Sequence, residues 1–236
     1  SNGIKFTIHG DGTLKILDTI THEGDTDTKI RFPAADQVSI ETAGNQRFRI
    51  DSSGNVGIDE TGTILGKLHV VGGRASGTAY NAAVFAGGQN STSGSGVKLY
   101  LSGCENSPIN RGVILESIMT DNANAHRFSI LVSGSSAAPT EKFRIDSSGR
   151  VLINTTTEGH DNSDDLTIAT TGHTGITIRS GTSNNGSIFF SDGTSGAEEY
   201  RGWVQYTHTS NYLTFGTNAS ERVRIKSNGD VAINGT

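Results

Sequence analysis

The sequence predicts an all-β chain, and three observations support this prediction. A twelve-residue pattern appears at 47–58, 142–153 and 222–233, and a weaker copy spans 5–16. In each copy, apolar and polar residues alternate with a period of two on both sides of a turn that ends in glycine. No segment of the 236 residues has the 3.6-residue period of an amphipathic helix. We therefore expect short strands throughout.

The recurring pattern predicts a β-hairpin. In the copy at 47–58, Asp51 opens a four-residue turn and Gly54 ends it, which suits a type I turn whose last residue has a positive φ. The glycines at this turn position are Gly12, Gly54, Gly149 and Gly229. The residues that alternate onto one face are apolar: Phe6, Ile8, Phe48, Ile50, Val56, Ile58, Phe143, Ile145, Val151, Ile153, Val223, Ile225, Val231 and Ile233. The other face is polar, as at Arg47, Arg49 and Asn55.

Four such hairpins need neighbours, because two strands bury too little apolar surface to offset the entropy of ordering them. The neighbours are either the intervening segments or the same hairpins in other copies of the chain. Hydrophobic residues make up only 33% of the sequence and aromatic residues only 6%. This low share, together with a clear strand pattern, favours a protein that completes its core by oligomerising.

The hairpins divide the sequence into three predicted β modules, at 1–60, 61–154 and 155–236. The first module holds two hairpins, and each of the others ends in one. Starts at 47, 142 and 222 are separated by 95 and then 80 residues, whereas a solenoid keeps a short, constant period. Between the hairpins we expect an exposed polar connection at 21–28 and strands at 29–32, 37–40, 67–71, 79–86, 97–101, 112–118, 126–132, 165–168, 175–179, 187–190, 201–204 and 211–215.

Charge and cysteine content narrow the classes of partner. The formal net charge is −5 and the isoelectric point is about 5.8, so nothing in the composition indicates a nucleic-acid or anionic-membrane partner. No window holds the roughly 18 apolar residues of a membrane span, so we expect no membrane insertion. The single Cys104 excludes an intrachain disulfide and is expected to be a small apolar filler. The chain starts at Ser1 without a leader pattern, which indicates a fragment or a processed chain.

The sequence holds no recognisable catalytic, cofactor or metal motif, so we expect no enzyme, no cofactor and no metal. His-x-His, Cys-x-x-Cys, Gly-x-Ser-x-Gly and phosphate-loop patterns are absent. Adjacent carboxylates occur at 164–165 and 198–199, but neighbouring residues of a strand point to opposite faces, so neither pair predicts the two facing carboxyls of a glycosidase. His69 and His126 lie inside predicted strands and are the histidines that symmetry could bring together in an oligomer, but the favoured interpretation is that they are ordinary surface or interface histidines.

Four aromatic residues gather in the last module. Tyr200, Trp203, Tyr206 and Tyr212 are candidates for receptor or glycan contact, since aromatic faces beside polar groups commonly hold sugar rings. The favoured interpretation is structural, with Trp203 and Tyr206 filling the interior from a strand. The segments 72–96, 102–111 and 192–202 are candidates for host contact, because their lengths vary between modules.

Three phrases carry a resemblance to a known family. Phe48-Arg-Ile-Asp-Ser-Ser-Gly-Asn-Val-Gly-Ile58, the upstream Asp27-Thr-Lys-Ile-Arg-Phe-Pro33, and Lys67-Leu-His-Val70 resemble repeats in tail fibre and tailspike proteins of tailed bacteriophages. Through its four hairpins the resemblance covers the whole chain. It implies an elongated, parallel homotrimer whose β modules are short sheets or sandwich-like units, each closed by a hairpin.

The resemblance also implies a function. Such fibres lie in the virion tail, contact other tail proteins, and attach the virion to a glycan or protein receptor on the host surface. Many carry a C-terminal chaperone of the endosialidase type, which trimerises the fibre and then cleaves itself off; the end at Thr236 suits such a cleavage or a truncation. In a trimer, three copies of the apolar hairpin face would turn toward a common axis and bury one another.

Two other functions stay open at this point. One is a tailspike that degrades surface glycan, with an active site between subunits or in other domains. The other is a non-viral extracellular fibre or adhesin built from the same repeats.

Overall fold

The computed structural model describes residues 6–72, 82–87, 92–103, 111–121, 125–134 and 137–234. Its strands are β1 (Phe6–Ile8), β2 (Leu14–Ile16), β3 (Thr19–His22), β4 (Asp25–Arg31), β5 (Val38–Thr42), β6 (Asn45–Ile50), β7 (Val56–Ile58), β8 (Leu68–Val70), β9 (Gly96–Leu101), β10 (Val113–Met119), β11 (His126–Val132), β12 (Thr140–Ile145), β13 (Val151–Ile153), β14 (Leu166–Ile168), β15 (Asn185–Phe190), β16 (Gly202–Thr207), β17 (Tyr212–Thr217), β18 (Ser220–Ile225) and β19 (Val231–Ile233). The predicted all-β fold is confirmed, since one 3-10 helix, Gly196–Tyr200, is the only helix in this part of the chain.

The strands form four sheets. Sheet I is the hairpin β1–β2; sheet II runs β3 to β8 in chain order; sheet III has the order β14-β13-β12-β11-β10-β9; sheet IV runs β15 to β19. The chain divides into two compact units, Ser1–Ser91 with Ser95–Val97 and Thr92–Gly94 with Lys98–Thr236. Sheets I and II belong to the first unit and sheet IV to the second, as does sheet III apart from the start of β9.

Sheets II and III each end in one parallel strand. The pairings from β3 to β7 and from β10 to β13 are antiparallel, but β8 runs parallel to β7 and β14 runs parallel to β13. Both parallel strands follow a predicted module boundary, at 60 or at 154, and yet hydrogen-bond to the hairpin that precedes it. Two of the sheets therefore extend across the boundaries that the sequence pattern indicates.

The hairpin turns are built by backbone and aspartate hydrogen bonds. The Gly54 amide donates to the Asp51 carbonyl at 2.9 Å, and Asp51 Oδ1 accepts from the amides of Ser53 and Asn55, both at 2.9 Å. The turn glycines have φ of 84° at Gly12, 71° at Gly54, 86° at Gly149 and 91° at Gly229. This left-handed conformation favours glycine because it has no Cβ.

Of the twelve strands predicted between the hairpins, eight are present within two residues at each end. β4 begins four residues before the predicted start at 29, and β16 ends three residues after the predicted end at 204. The other two form no strand in their described residues. Residues 175–179 form no strand, and neither does the described part, 82–86, of the strand predicted at 79–86. Residues 79–81 lie outside the described residues. Alternation supplies an apolar face, but a strand also needs a neighbour for its backbone N–H and C=O groups.

The predicted polar connection at 21–28 is also wrong. His22 and Asp25 pair at the end of a tight β3–β4 hairpin, where Gly24 has a φ of 82°. The segment carries three threonines, a β-branched residue that favours strands even where both faces are polar. Because this segment has no apolar residues, it lacks the apolar–polar alternation by which strands are predicted.

Candidate interaction surface

The apolar hairpin residues lie in rows that cross each of the larger sheets. In sheet II the row is Ile30, Ile40, Phe48, Ile58 and Val70. In sheet III it is Leu115, Ile130, Phe143, Ile153 and Ile168. In sheet IV it is Ile188, Val204, Phe215, Val223 and Ile233. Residues directly opposite on neighbouring strands share a face, so every larger sheet has one continuous apolar face.

Much of this apolar face is open to solvent. Ile30 and Phe215, which lie on interior strands of their sheets, are each 39% exposed. The hairpin residues Ile8, Ile58, Ile145, Ile225, Val231 and Ile233 are all exposed, whereas Phe48, Ile50, Val56, Phe143, Val151, Ile153 and Val223 are half-buried. A soluble protein rarely leaves contiguous apolar rows in water, and such rows mark interaction surfaces.

The opposite, polar face of sheet II is covered by the chain itself. Residues 59–66 cross it, and Ile64 packs against Gly57, where an added Cβ would come within 3.0 Å of the Ile64 side chain. Gln46 Nε2 donates to the Glu60 carbonyl at 2.8 Å, and Arg49 donates to the Gly62 carbonyl. Beneath them Ser39 is fully buried. The core of this sheet is therefore on its polar side.

Sheet III buries its polar face through ion pairs. Glu116 is only 4% exposed, and its carboxylate lies 3.0 Å from Lys98 Nζ and 3.4 Å from Arg127 Nη2. Arg144 forms a bidentate pair with Glu141 at 2.7 and 2.9 Å, above the buried Ser129. Such buried polar groups are tolerated because each finds a partner.

Sheet IV buries the same face with aromatic side chains. The Trp203 ring lies over Gly216, where there is no space for a Cβ, and Trp203 Nε1 donates to Thr214 Oγ1 at 3.2 Å. Arg224 pairs with Glu221 at 2.8 and 2.7 Å, and its guanidinium lies 4.2 Å from the centre of the Tyr212 ring. The buried residue at the centre is Thr214.

The structure divides the four candidate aromatic residues between two faces. Trp203 and Tyr212 lie on the polar face, and Tyr200 contacts Trp203 with 6.4 Å between ring centres. Tyr206 lies on the apolar face, beside His208 and with its hydroxyl 3.2 Å from Asn211 Oδ1. The four rings therefore do not form one platform.

The remaining candidate groups are engaged in structural contacts. Asp164 binds Arg150 at 2.8 Å, which with Asp146 holds the pKa of Arg150 above its ordinary value. His69 Nδ1 lies 3.7 Å from Glu60 Oε2, and His126 Nδ1 lies 3.3 Å from Ser117 Oγ. The part of the chain that the structure describes contains no group of three metal-ligating side chains. Cys104 and most of the predicted contact segment 102–111 lie outside the described residues.

The turn aspartates are held in their charged form. Backbone and side-chain hydrogen bonds from Asn55 lower the pKa of Asp51. Burial works to raise the pKa of Asp146, but hydrogen bonds from the Arg150 side chain and from the Arg150 and Ser148 amides outweigh it and leave the pKa lowered. In the last hairpin, Lys226 occupies this position and supplies no acceptor side chain.

Two recurring features were not singled out from the sequence. Asp59, Asn154 and Asn234 close the hairpins with φ of 54°, 57° and 61°, and Ser39, Ser129 and Thr214 lie buried at the sheet centres. Aspartate and asparagine tolerate a positive φ better than other residues with a side chain. Both features have a sequence signal, an Asn or Asp after the last Ile and a hydroxyl residue between two apolar ones.

No protein-family model and no curated protein matches this chain. Among the described residues, no helix combines the length and the apolar character needed to cross a membrane.

Proposed function

We propose that this chain is a segment of a homotrimeric tail fibre of a tailed bacteriophage, with a structural and receptor-binding role and no catalysis. In this role it lies in the virion tail, contacts other tail proteins, and attaches the virion to a glycan or protein on the host surface. The family and the number of chains are proposed from the resemblance of residues 27–33, 48–58 and 67–70 to the repeats of tail fibre proteins.

The observation that supports assembly is that each of the three larger sheets buries its polar face and exposes much of its apolar face. Each sheet buries the face that carries its hydroxyl, carboxylate or aromatic side chains, in sheet III together with Ile114, Ile118 and Leu152, and leaves much of the aliphatic rows of its other face open. Burying one Ile or Phe side chain stabilises by about 1.5–3 kcal/mol. Rows that run across whole sheets therefore favour contact with further copies of the chain.

Two predicted strands that do not form in their described residues, 82–86 and 175–179, support the same proposal. The first follows β8 along the chain, and the second follows β14. Val84 and Phe85 are exposed, as are Ile176 and Ile178. Apolar residues in an unpaired extended pattern find a strand partner when another copy of the chain is nearby.

The first experiment measures the mass of the folded protein. Light scattering should give about 74 kDa, three times the 24.8 kDa chain. Phe215→Lys, which places a charge in the apolar row of sheet IV, should weaken the trimer at least tenfold, because a lysine cannot stay buried there unpaired. Thr209→Lys adds the same charge in the adjacent exposed β16–β17 turn and should leave the trimer intact. A soluble, folded species of 24.8 kDa would contradict the proposal.

A second experiment separates the proposed role from the depolymerase alternative. The protein is incubated with host surface polysaccharide, and both bound polysaccharide and released oligosaccharide are measured. Binding without release is the expected result. Release of oligosaccharide would establish an enzyme instead.

The non-viral alternative is tested by labelling virions with an antibody against this chain. If electron micrographs show no label on the virion tails, a non-viral fibre is favoured.

A further inference from the structure

A cavity of about 490 Å³ lies on the polar face of sheet III. Charged side chains from β9, β10, β11 and β12 line it: Lys98, Glu116, Arg127 and Glu141. Ligand sites in proteins have volumes of roughly 300–1,000 Å³ and contain a few polar groups that converge on the ligand. The cavity therefore has the size and the polar lining of a small-molecule site.

The charged groups of the cavity hold one another in place. The buried Glu116 carboxylate lies 3.0 Å from Lys98 Nζ and 3.4 Å from Arg127 Nη2. Arg127 Nε lies 3.7 Å from Glu141 Oε2. Ammonium, guanidinium and carboxylate groups have more donors or acceptor sites than these pairs use. Fixed donors and acceptors therefore stand side by side, with capacity left for a ligand.

A turn of the chain forms one wall of the cavity. The Gly94 amide donates to the Met119 carbonyl at 2.8 Å, and Ser93 Oγ donates to the Thr120 carbonyl at 3.1 Å. These bonds fix the turn at the end of β10. Aliphatic side chains, Ile118 and Leu131, complete the lining beside the charged groups.

The corresponding place in sheet IV carries uncharged side chains. Gln205 lies opposite Thr214 on the neighbouring strand, as Glu116 lies opposite Ser129. Gln205 Nε2 donates to Ser187 Oγ at 2.9 Å. A neutral pair therefore suffices for the fold at this position. Because burying an ion pair carries a desolvation cost, the charges of sheet III point to binding rather than to stability.

We propose that this cavity binds one uncharged pyranose ring of a surface glycan, an inference that rests on the receptor-binding role proposed above. Each ring hydroxyl can donate and accept a hydrogen bond. One hydroxyl donates to Glu116, and its neighbour on the ring accepts from Lys98 or Arg127. The C–H groups of the ring contact Ile118 and Leu131. An uncharged ring leaves the ion pairs intact, whereas a charged ligand competes with them.

The probes are the methyl glycosides of glucose, galactose and mannose, with methyl glucuronide as the charged comparison. Backbone amide chemical shifts of the native chain are followed during titration with each probe. At least one uncharged glycoside should bind with a dissociation constant of about 1 mM. Binding should shift the amides of Lys98, Glu116 and Arg127 and leave that of Gln205 unchanged. Equal or tighter binding of the glucuronide would overturn the requirement for an uncharged ring.

Two variants of the cavity test its role. Glu116→Gln introduces the side chain that sheet IV carries at the corresponding place, and it should weaken binding by about tenfold or more. Leu131→Trp fills the cavity without changing its charge and should weaken binding by a similar factor. The matched control Glu221→Gln removes a paired glutamate from the polar face of sheet IV and should leave binding unchanged. Unchanged binding in either folded cavity variant, or no shift with any uncharged glycoside, would overturn the proposal.

Failure of this site and failure of the proposed function give different results. A trimer whose Glu116→Gln variant still binds host polysaccharide as tightly as the native chain has the proposed function but lacks this site. A folded species of 24.8 kDa that binds the glycosides in the cavity has the site but contradicts the proposed trimer.

Discussion

Sheets III and IV carry the same hairpin but cover its polar face by different means. In sheet III the chain returns over the hairpin: Leu152 is 1% exposed, Arg150 binds Asp164 at 2.8 Å, and the Gly159 amide donates to Thr167 Oγ1 at 3.0 Å. In sheet IV the counterpart of Leu152 is the half-buried Ala232, and Trp203 covers Gly216 instead. The hairpin sequence thus determines a pair of strands, but the side chains and segments that cover its polar face differ between the two sheets.

The two hairpins also differ in how their turns are held. Asp146 Oδ1 accepts from the Ser148 amide at 2.9 Å and from the Arg150 amide at 3.0 Å, and Asp146 Oδ2 binds Arg150 Nε at 2.7 Å. The turn at Lys226 keeps two backbone bonds, from the Gly229 amide to the Lys226 carbonyl and from the Lys226 amide to the Asp230 carbonyl, both at 2.9 Å, and Asn228 Oδ1 accepts from the Asp230 amide at 3.1 Å. The turn of sheet III is therefore held by an aspartate carboxylate, and the turn of sheet IV is not.

The largest expected difference between the sheets comes from Leu152. Leu152→Ala should destabilise sheet III by about 2–5 kcal/mol, because it leaves a cavity under the covering segment. Ala232→Gly, at the corresponding place in sheet IV, should cost only about 0.5–1 kcal/mol, because Ala232 is not enclosed and the loss is mainly one of backbone entropy. Native-state hydrogen exchange of residues 140–153 and 220–233 measures the two effects in the same molecule. Similar losses in both sheets would show that the covering segment contributes little.

A smaller effect is expected from the turn of sheet III. Asp146→Ala removes the acceptor for three hydrogen bonds and should destabilise the hairpin by about 1–2 kcal/mol at pH 7. The folded pKa of Asp146 is lowered, so the contribution of this group is complete above the unfolded value of about 3.9. It is lost as the pH falls below 4 through the folded pKa.

The pH dependence gives this prediction its control. In urea unfolding from pH 7 to pH 2.5, the difference between the native chain and Asp146→Ala should shrink as the pH falls. Protection of residues 222–233, whose turn has Lys226 in place of the aspartate, should not follow the titration of Asp146. A difference that is constant with pH would mean that the carboxylate charge does not stabilise the turn.

The smallest effect is expected when the turn aspartate is introduced into the hairpin of sheet IV. Lys226→Asp places a carboxylate where Asp51 and Asp146 stand in the other hairpins, and it should stabilise the last hairpin by about 0.5–1 kcal/mol through the turn amides. Because Trp203 is the only tryptophan, its fluorescence reports the unfolding of sheet IV. Lys226→Ala is the matched control, since it removes the lysine without adding an acceptor. Equal stability of Lys226→Asp and Lys226→Ala would show that the added carboxylate does not stabilise this turn.

The hairpins were predictable because their information is local. Asp51 and Gly54 lie within one turn, and the alternation of Phe48 with Ile50 sets the face of one strand. The candidate aromatic residues were not predictable as a group. Trp203 and Tyr206 are three residues apart on one strand and so point to opposite faces, but only the paired strand shows that Trp203 packs on Gly216.

By itself, the sequence determined the all-β class, the four hairpins and the apolar identity of one face of each. These follow from turn chemistry and from a period of two, which act over a few residues. The tertiary structure alone decided that β8 and β14 return to the preceding hairpin, that 175–179 forms no strand, and that the polar faces are the buried ones. These features depend on which distant segment hydrogen-bonds to a strand or covers a sheet face, and no local sequence pattern determines that.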